Sequence, residues 1–205
     1  MKSVGWLVLL SMAAVAGGAG LGPDAAASPI PTIDAAVVDG RYGEWDLASD
    51  FFAYMYRAGD SAKVAESRLY LRFDCVTGIA YALVLCEPGV IGYADPTQES
   101  DAWIALDVHS EKVVSIFSGN DGIPPDFAWV GRGYDGDLNH ALGYEASFYA
   151  SSLTHMIFVH IDVWDEELQT SALVGHPQVG AELLLPCVSN ALRGTSFGAI
   201  KALYR

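Results

Sequence analysis

Two adjacent segments, residues 68–75 (RLYLRFDC) and 79–86 (IAYALVLC), decide the fold of this chain. In the first segment, leucine or phenylalanine alternates with tyrosine, arginine or aspartate, which is the period of a strand with one buried face. The second segment is apolar on both faces, as expected of a central strand. Residues 76–78 (VTG) connect them, and the glycine tolerates positive φ in a tight loop. The two segments therefore predict an antiparallel β-hairpin.

Segments with the same character follow the hairpin and are separated by turn-forming residues. In residues 101–109 (DAWIALDVH), apolar and polar side chains again alternate. The other strand-like segments are 111–117, 126–130, 144–149 and 155–164. Many short strands with turns about every 8–12 residues predict an all-β fold. We interpret it as an antiparallel β-sandwich, jelly-roll or immunoglobulin-like, over residues 32–174. Residues 47–57 fit either a buried strand or a helix.

The composition restricts the partners of the chain. Its 205 residues include 11 Lys or Arg and 25 Asp or Glu, which gives a net charge of −14. Binding to phosphate groups needs clustered basic residues, so nucleic acids and anionic membrane surfaces are not expected partners. Hydrophobic residues make up 52% of the chain and charged residues 18%. Such a chain has enough apolar surface to fold, which excludes intrinsic disorder.

The first 27 residues have the pattern of a secretory signal peptide. Lys2 precedes an uncharged run, 4–16 (VGWLVLLSMAAVA), and two A-x-A cleavage motifs end at Ala16 and Ala27. The uncharged run is shorter than the roughly 20 residues of a membrane-spanning helix. We therefore expect export, cleavage of residues 1–27, and a linker over residues 28–31. The mature protein is expected to be secreted or held at the cell surface, without a transmembrane segment.

The three cysteines limit how the C-terminal part attaches. Cys75 and Cys86 lie at opposite ends of the predicted hairpin, on the order of five residues apart at about 3.3 Å each. This exceeds the roughly 7 Å between Cα atoms that a disulfide allows, so an intramolecular disulfide needs Cys187 as one partner. An intermolecular bond and three buried thiols are the alternatives. Residues 175–205 predict a linker and a short helical or extended tail, with a last strand at 183–185 (LLL) as the alternative.

Two predicted strand faces combine tryptophan with carboxylates and histidine. An indole stacks on the apolar side of a sugar ring, and carboxylates bind sugar hydroxyls, so such a face suits a carbohydrate. The alternative is that the tryptophans lie beneath loops or in the core. The predicted ligand-binding residues are Asp101, Trp103, Asp107, His160, Asp162 and Trp164.

A short acidic motif predicts a calcium site. Asp135, Asp137 and Asn139 form D-x-D-x-N, which places three oxygen ligands at alternate positions, and Glu145 is a candidate fourth ligand. The glycine and glutamate that an EF-hand requires at its sixth and twelfth positions are missing. The alternative is a polar loop stabilised by Asx-turns.

The sequence offers no catalytic constellation. Residues 194–198 (GTSFG) match the G-x-S-x-G nucleophile motif, but the seven residues after them include no histidine or acid to complete a triad. Neither H-E-x-x-H nor C-x-x-C occurs. We therefore expect a protein that is not an enzyme, with a secreted glycan-acting enzyme as the alternative.

The segment 32–46 (TIDAAVVDGRYGEWD), followed by the strand 68–74 (RLYLRFD) and its partner, resembles the opening of family 9 carbohydrate-binding-module-like (DOMON-like) domains. The resemblance covers about residues 32–90. It implies a β-sandwich, commonly with bound calcium, in secreted bacterial proteins that bind sugars or are associated with cell surfaces. The combined prediction is a secreted, non-catalytic binding or surface-structural module whose favoured ligand is an extracellular glycan. A structural cell-surface protein without a small ligand is a further alternative.

Overall fold

The computed structural model describes residues 30–151, 153–165, 167–175, 179–185 and 187. Over these residues the protein contains twelve strands and no helix, and the strands pair antiparallel. This confirms the prediction of an all-β antiparallel fold. The strands are β1 (Phe51–Arg57), β2 (Ala65–Asp74), β3 (Ile79–Cys86), β4 (Ile91–Tyr93), β5 (Ala102–Leu106), β6 (Lys112–Ser115), β7 (Asp126–Val130), β8 (His140–Ala141), β9 (Gly143–Tyr149), β10 (Thr154–Asp165), β11 (Glu167–Ala172) and β12 (Ala181–Leu184).

One hydrogen-bonded sheet connects all of these strands. Its main path runs β6-β5-β10-β11-β1-β2-β3-β9-β7, while β4 and β12 add to β10 and β8 pairs with β4. The sheet curves until its end strands, β6 and β7, contact each other, so its shape is nearly that of a barrel. Strand twist accumulates in one direction and produces such curling. The two halves of the curved sheet enclose the main hydrophobic core.

The predicted hairpin is the centre of this core. β2 and β3 pair in continuous register from Ser67 opposite Cys86 to Asp74 opposite Ile79. The alternating apolar residues of β2, Leu69 among them, point inward and are buried against other core side chains. β1 begins at Phe51, so the strand interpretation of the ambiguous segment 47–57 is the correct one.

The outer face of the hairpin is buried as well. Residues 30–50, here called the covering segment, lie against the outer side of β2, where they form a parallel bridge between Thr32 and Arg72. Trp45 from this segment packs with Tyr70, Leu83 and Val130 in a second hydrophobic cluster. Tyr70 and Arg72, two residues of β2 that the sequence assigned to an exposed face, are therefore covered.

A disulfide fixes the C-terminal part. Cys75 bonds to Cys187, with 5.5 Å between their Cα atoms and a sequence separation of 112, and Cys86 is a free thiol. This confirms that Cys187 is the partner an intramolecular disulfide requires. β12 pairs with β10 and includes Leu183 and Leu184, so the alternative of a last strand describes this region.

Several predictions fall on other parts of the chain. The signal peptide (1–27) and the C-terminal tail after residue 187 lie outside the described residues. In the described part, no helix has the length and apolar character needed to span a membrane.

Candidate functional site

The strand register brings part of the predicted sugar-binding face together. Trp103 on β5 lies opposite His160 on β10, and their rings stack with centroids 5.1 Å apart and planes within 11°. Only 6% of Trp103 is exposed. The edge of the His109 ring packs against it, and Lys112 Nζ lies 5.8 Å from its centroid. The indole is thus covered, as the alternative interpretation stated, and offers no open ring face to a sugar.

Two of the predicted carboxylates belong to the same cluster. Asp162 Oδ1 lies 2.9 Å from His160 Nε2 and accepts a hydrogen bond from Thr170 Oγ1 at 3.2 Å. Asp101 is buried and accepts a hydrogen bond from the backbone N–H of Asp95. Burial raises the pKa of the Asp101 carboxyl to about 6, and the charge of Asp162 also raises it.

The remaining predicted residues lie apart from this cluster. Asp107 follows the end of β5 with a positive φ of 60°, and its carboxylate binds the backbone N–H of Met156 and lies 2.8 Å from His155 Nδ1. Trp164 is 42% exposed near the far end of β10, where it pairs with Ile91 and Leu168.

The carboxylate oxygens of the acidic loop between β7 and β8 bind groups of the same loop and of the adjacent His140. Asp135 Oδ1 accepts a hydrogen bond from the N–H of Asp137, and Asp137 Oδ1 accepts one from the N–H of Asn139, so the loop contains Asx-turns. Asp135 Oδ2 lies 2.7 Å from His140 Nδ1, and this contact lowers the pKa of Asp135. No group of three or more potential metal ligands of the His, Cys, Asp or Glu type occurs in the described ranges. Calcium binding stays a prediction of the sequence.

Glu145, the fourth predicted calcium ligand, holds the covering segment instead. It is 1% exposed on β9, and its Oε2 accepts hydrogen bonds from the backbone N–H groups of Asp39 and Gly40 at 3.1 and 2.8 Å. Its Oε1 accepts the indole N–H of Trp45 at 2.9 Å. Gly40 has a φ of +77°, and a Cβ there would lie 2.7 Å from the carbonyl oxygen of Trp129. The Asp39-Gly40 and Glu44-Trp45 pairs of the covering segment thus supply the three N–H groups that bind the Glu145 carboxylate.

The stability of the protein should therefore depend on the protonation of Glu145. Burial raises the pKa of this carboxyl to about 7 against its three hydrogen bonds, and the charge of Glu44 adds to the increase. Between about pH 4.5, the ordinary value, and pH 7, the folded state keeps a proton that the unfolded chain has released. The free energy of unfolding should then fall as pH rises through this window, by at most about 1.4 kcal/mol per pH unit from this group, and level off above pH 7.

Urea unfolding at pH 5, 6, 7 and 8 measures this dependence. Because Asp101 acts in the same direction, the wild type is compared with Glu145→Gln, which keeps the size of the side chain and does not titrate. The difference between the two curves isolates Glu145. Equal slopes in both proteins would contradict the prediction.

A groove lies beside the covering segment, on the outer face of the sheet. Its volume is about 430 Å³, within the range of small-ligand sites. Residues 36–38 of the covering segment form one side, and Asn120, Gly122 and Pro124 of the β6–β7 loop contribute the other. Between them lie Ile79 and Tyr81 of β3, Ser147 of β9 and Asp126 of β7.

The polar groups of the groove are aligned across three strands. Tyr81 pairs with Ser147, and Ser147 pairs with Asp126, so their side chains share one face. Asp126 is 3% exposed and accepts hydrogen bonds from Ser147 Oγ and from the backbone N–H groups of Asp121 and Gly122. Asn120 is exposed at the opening. The groove therefore combines a half-buried aromatic ring with hydrogen-bonding groups at fixed positions.

Sequence reasoning did not identify any of the groove residues. Each of the three strands contributes one polar residue: Tyr81, Ser147 or Asp126. That these residues are aligned becomes visible only once the register of β9 against β3 and β7 is known. No protein-family model, curated protein or solved structure matches the chain.

Proposed function

We propose that this protein is a secreted, non-catalytic binding module and that its ligand is a carbohydrate held in the groove beside the covering segment. The observation that carries the proposal is the half-buried Tyr81 ring within a groove of about 430 Å³. A sugar ring has an apolar face that stacks on an aromatic side chain and hydroxyl groups that bind polar side chains. The resemblance of residues 32–90 to carbohydrate-binding-module-like domains supports the same ligand class.

The carboxyl content of the groove supports binding rather than hydrolysis. Glycoside hydrolysis generally uses two carboxyl groups about 5–9.5 Å apart, one of which acts as an acid. Asp126 is the one carboxylate among the described lining residues, and its oxygens hold the β6–β7 loop. A binding module fits this arrangement.

A glycan array with the mature protein tests the proposal, followed by calorimetry and analysis of reaction products for each glycan retained. We expect binding without product release. Tyr81→Ala should weaken binding by about 1–3 kcal/mol, or roughly 5- to 150-fold, because it removes the stacking ring. Asn120→Ala should weaken it less, and because Asn120 is exposed this variant leaves the packing intact.

The matched control is Trp164→Ala, which removes an exposed aromatic ring of the face predicted from sequence. Unchanged affinity in Trp164→Ala and reduced affinity in the groove variants would support the groove. Reduced affinity in Trp164→Ala and unchanged affinity in the groove variants would place the ligand on β10 instead. Release of products would favour a glycan-acting enzyme, and absence of binding to every glycan would favour a structural surface protein.

A further inference from the structure

We propose that the groove recognises a positively charged group, and that its ligand is a glycan bearing protonated primary amines rather than a neutral or acidic one. This inference rests on the proposed function and specifies the class of sugar. The groove itself supports it: a buried carboxylate and an aromatic ring face the same space, and none of the described residues that line it is basic.

Asp126 is the buried carboxylate of the groove. Its three hydrogen-bond donors, two backbone N–H groups and the Ser147 hydroxyl, are all neutral, and it makes no ion pair with a described residue. A buried carboxylate without a positive partner keeps an uncompensated charge, which a cation brought by a ligand would neutralise. Its Oδ2 accepts only the 3.3 Å bond from Ser147, so acceptor capacity remains on that oxygen.

Tyr81 adds a second cation-attracting element. The face of a phenol ring attracts ammonium groups through its quadrupole, most strongly where water is excluded. Burial raises the pKa of the Tyr81 hydroxyl, and the charges of Asp74 and Asp126 raise it as well, so the potential around this ring is negative.

The basic residue that pairs with Tyr81 across the sheet does not offset this potential. Arg72 is the cross-strand partner of Tyr81 on β2, but its guanidinium lies beneath the covering segment. There it pairs with Asp50 at 2.7 Å and with Asp34 at 3.5 Å. The net charge of −14 over the whole chain adds to the negative potential of the groove.

An ammonium group matches the acceptors that meet in the groove. It carries three N–H donors. The carboxylate of Asp126, the hydroxyl oxygen of Ser147 and the amide oxygen of Asn120 are acceptors among the lining residues. The carboxylate of an acidic sugar would face Asp126 without a cation to balance it, which is unfavourable.

Calorimetry with two tetrasaccharides of the same backbone tests the inference. Tetrameric glucosamine carries amines, and tetrameric N-acetylglucosamine carries neutral amides at the same positions. At pH 6 and low salt we expect the amine form to bind at least tenfold more tightly, and we expect 0.5 M NaCl to reduce that difference. Asp126→Asn, which keeps the shape and can keep the loop hydrogen bonds, should abolish the preference.

Two further variants keep the test decisive. Asp135→Asn removes a charge from the β7–β8 loop and should leave both affinities unchanged. Asn120→Asp adds a carboxylate at the opening and should increase the preference for the amine form, which provides a test should Asp126→Asn fold poorly. A tetralysine peptide measures recognition of the ammonium group without a sugar.

Each outcome has a separate meaning. Equal or tighter binding of the acetylated tetramer overturns the charge preference and leaves the carbohydrate proposal standing. Binding of tetralysine with no binding of either sugar supports ammonium recognition and overturns the carbohydrate proposal. If none of the three ligands binds, and the glycan array is also negative, both proposals fail.

Discussion

Replacing Arg72 with leucine is expected to lower the free energy of unfolding by about 3–5 kcal/mol, because it leaves a buried carboxylate without its positive partner. Arg72 Nε and Nη2 lie 2.8 and 2.7 Å from Oδ2 of Asp50. Nη1 and Nη2 also donate to the carbonyl oxygens of Ala35 and Glu44, and the guanidinium lies 5.0 Å from the centroid of the Trp45 ring. One side chain thus joins the sheet to four residues of the covering segment.

The residue destabilised by the loss of Arg72 would be Asp50. This residue is buried, and its Oδ1 has no hydrogen-bond partner among the described residues. Of the described donors, its Oδ2 would keep the backbone N–H of Asp46 at 2.9 Å. Urea unfolding of Arg72→Leu and of the double variant Arg72→Leu/Asp50→Leu measures the effect. The double variant should recover part of the stability, because replacing both partners removes the uncompensated charge.

Arg68→Leu is the matched control. Arg68 lies on the same strand and forms a two-point ion pair with Glu87, but its side chain is 42% exposed. Exposed ion pairs contribute about 0–1 kcal/mol, so this variant should be far closer to wild type. Similar losses in Arg68→Leu and Arg72→Leu would show that Arg72 does not act as a buried anchor.

The parts of this fold that the sequence predicts are those in which neighbouring residues carry the information. The β2–β3 hairpin is encoded by an alternating segment, a short glycine loop and a second apolar segment, all within 19 residues. The alternation within each strand places Trp103 and His160 on polar faces, whereas their pairing is a finding of the structure. The disulfide partner follows from the distance limit that excludes a bond between Cys75 and Cys86.

The parts that the sequence does not predict depend on long-range packing. Arg72 and Tyr70 occupy the polar positions in the alternating pattern of β2, and this pattern alone predicts that they are exposed to solvent. They are buried because the covering segment docks on that face. Glu145 follows the acidic loop closely in sequence, yet the direction of β9 takes its carboxylate to Gly40 and Trp45. No local pattern records the contacts of Glu145, since its partners are about 100 residues away.

The candidate site illustrates the same limit. Trp103 has the residue type and the face expected of a sugar platform, but side chains from the β5–β6 region cover its ring. The groove instead depends on the register of β3, β9 and β7, with a loop and the covering segment as its sides. A one-residue shift of β9 would turn Ser147 to the opposite face and remove the alignment.

The second large effect is expected at the disulfide. Cys187→Ser should lower the free energy of unfolding of the oxidised protein by about 2–5 kcal/mol, because the bond between Cys75 and Cys187 closes a long loop and restricts the unfolded chain. The sequence separation of 112 includes most of the strands, from the β2–β3 turn to the residues after β12. Loop-closure entropy increases with length, so this position is a favourable one for a cross-link.

Thermal unfolding with and without dithiothreitol measures this prediction, with Cys86→Ala as the control. Burial raises the pKa of the Cys86 thiol to about 12, so it is a poor nucleophile and should not replace Cys187 in the bond. Dithiothreitol should lower the Tm of the wild type and of Cys86→Ala, and leave that of Cys187→Ser unchanged. A wild-type Tm that does not respond to dithiothreitol would contradict the prediction. Structural disulfides persist in oxidising compartments, so the full stability is expected only where the bond stays oxidised.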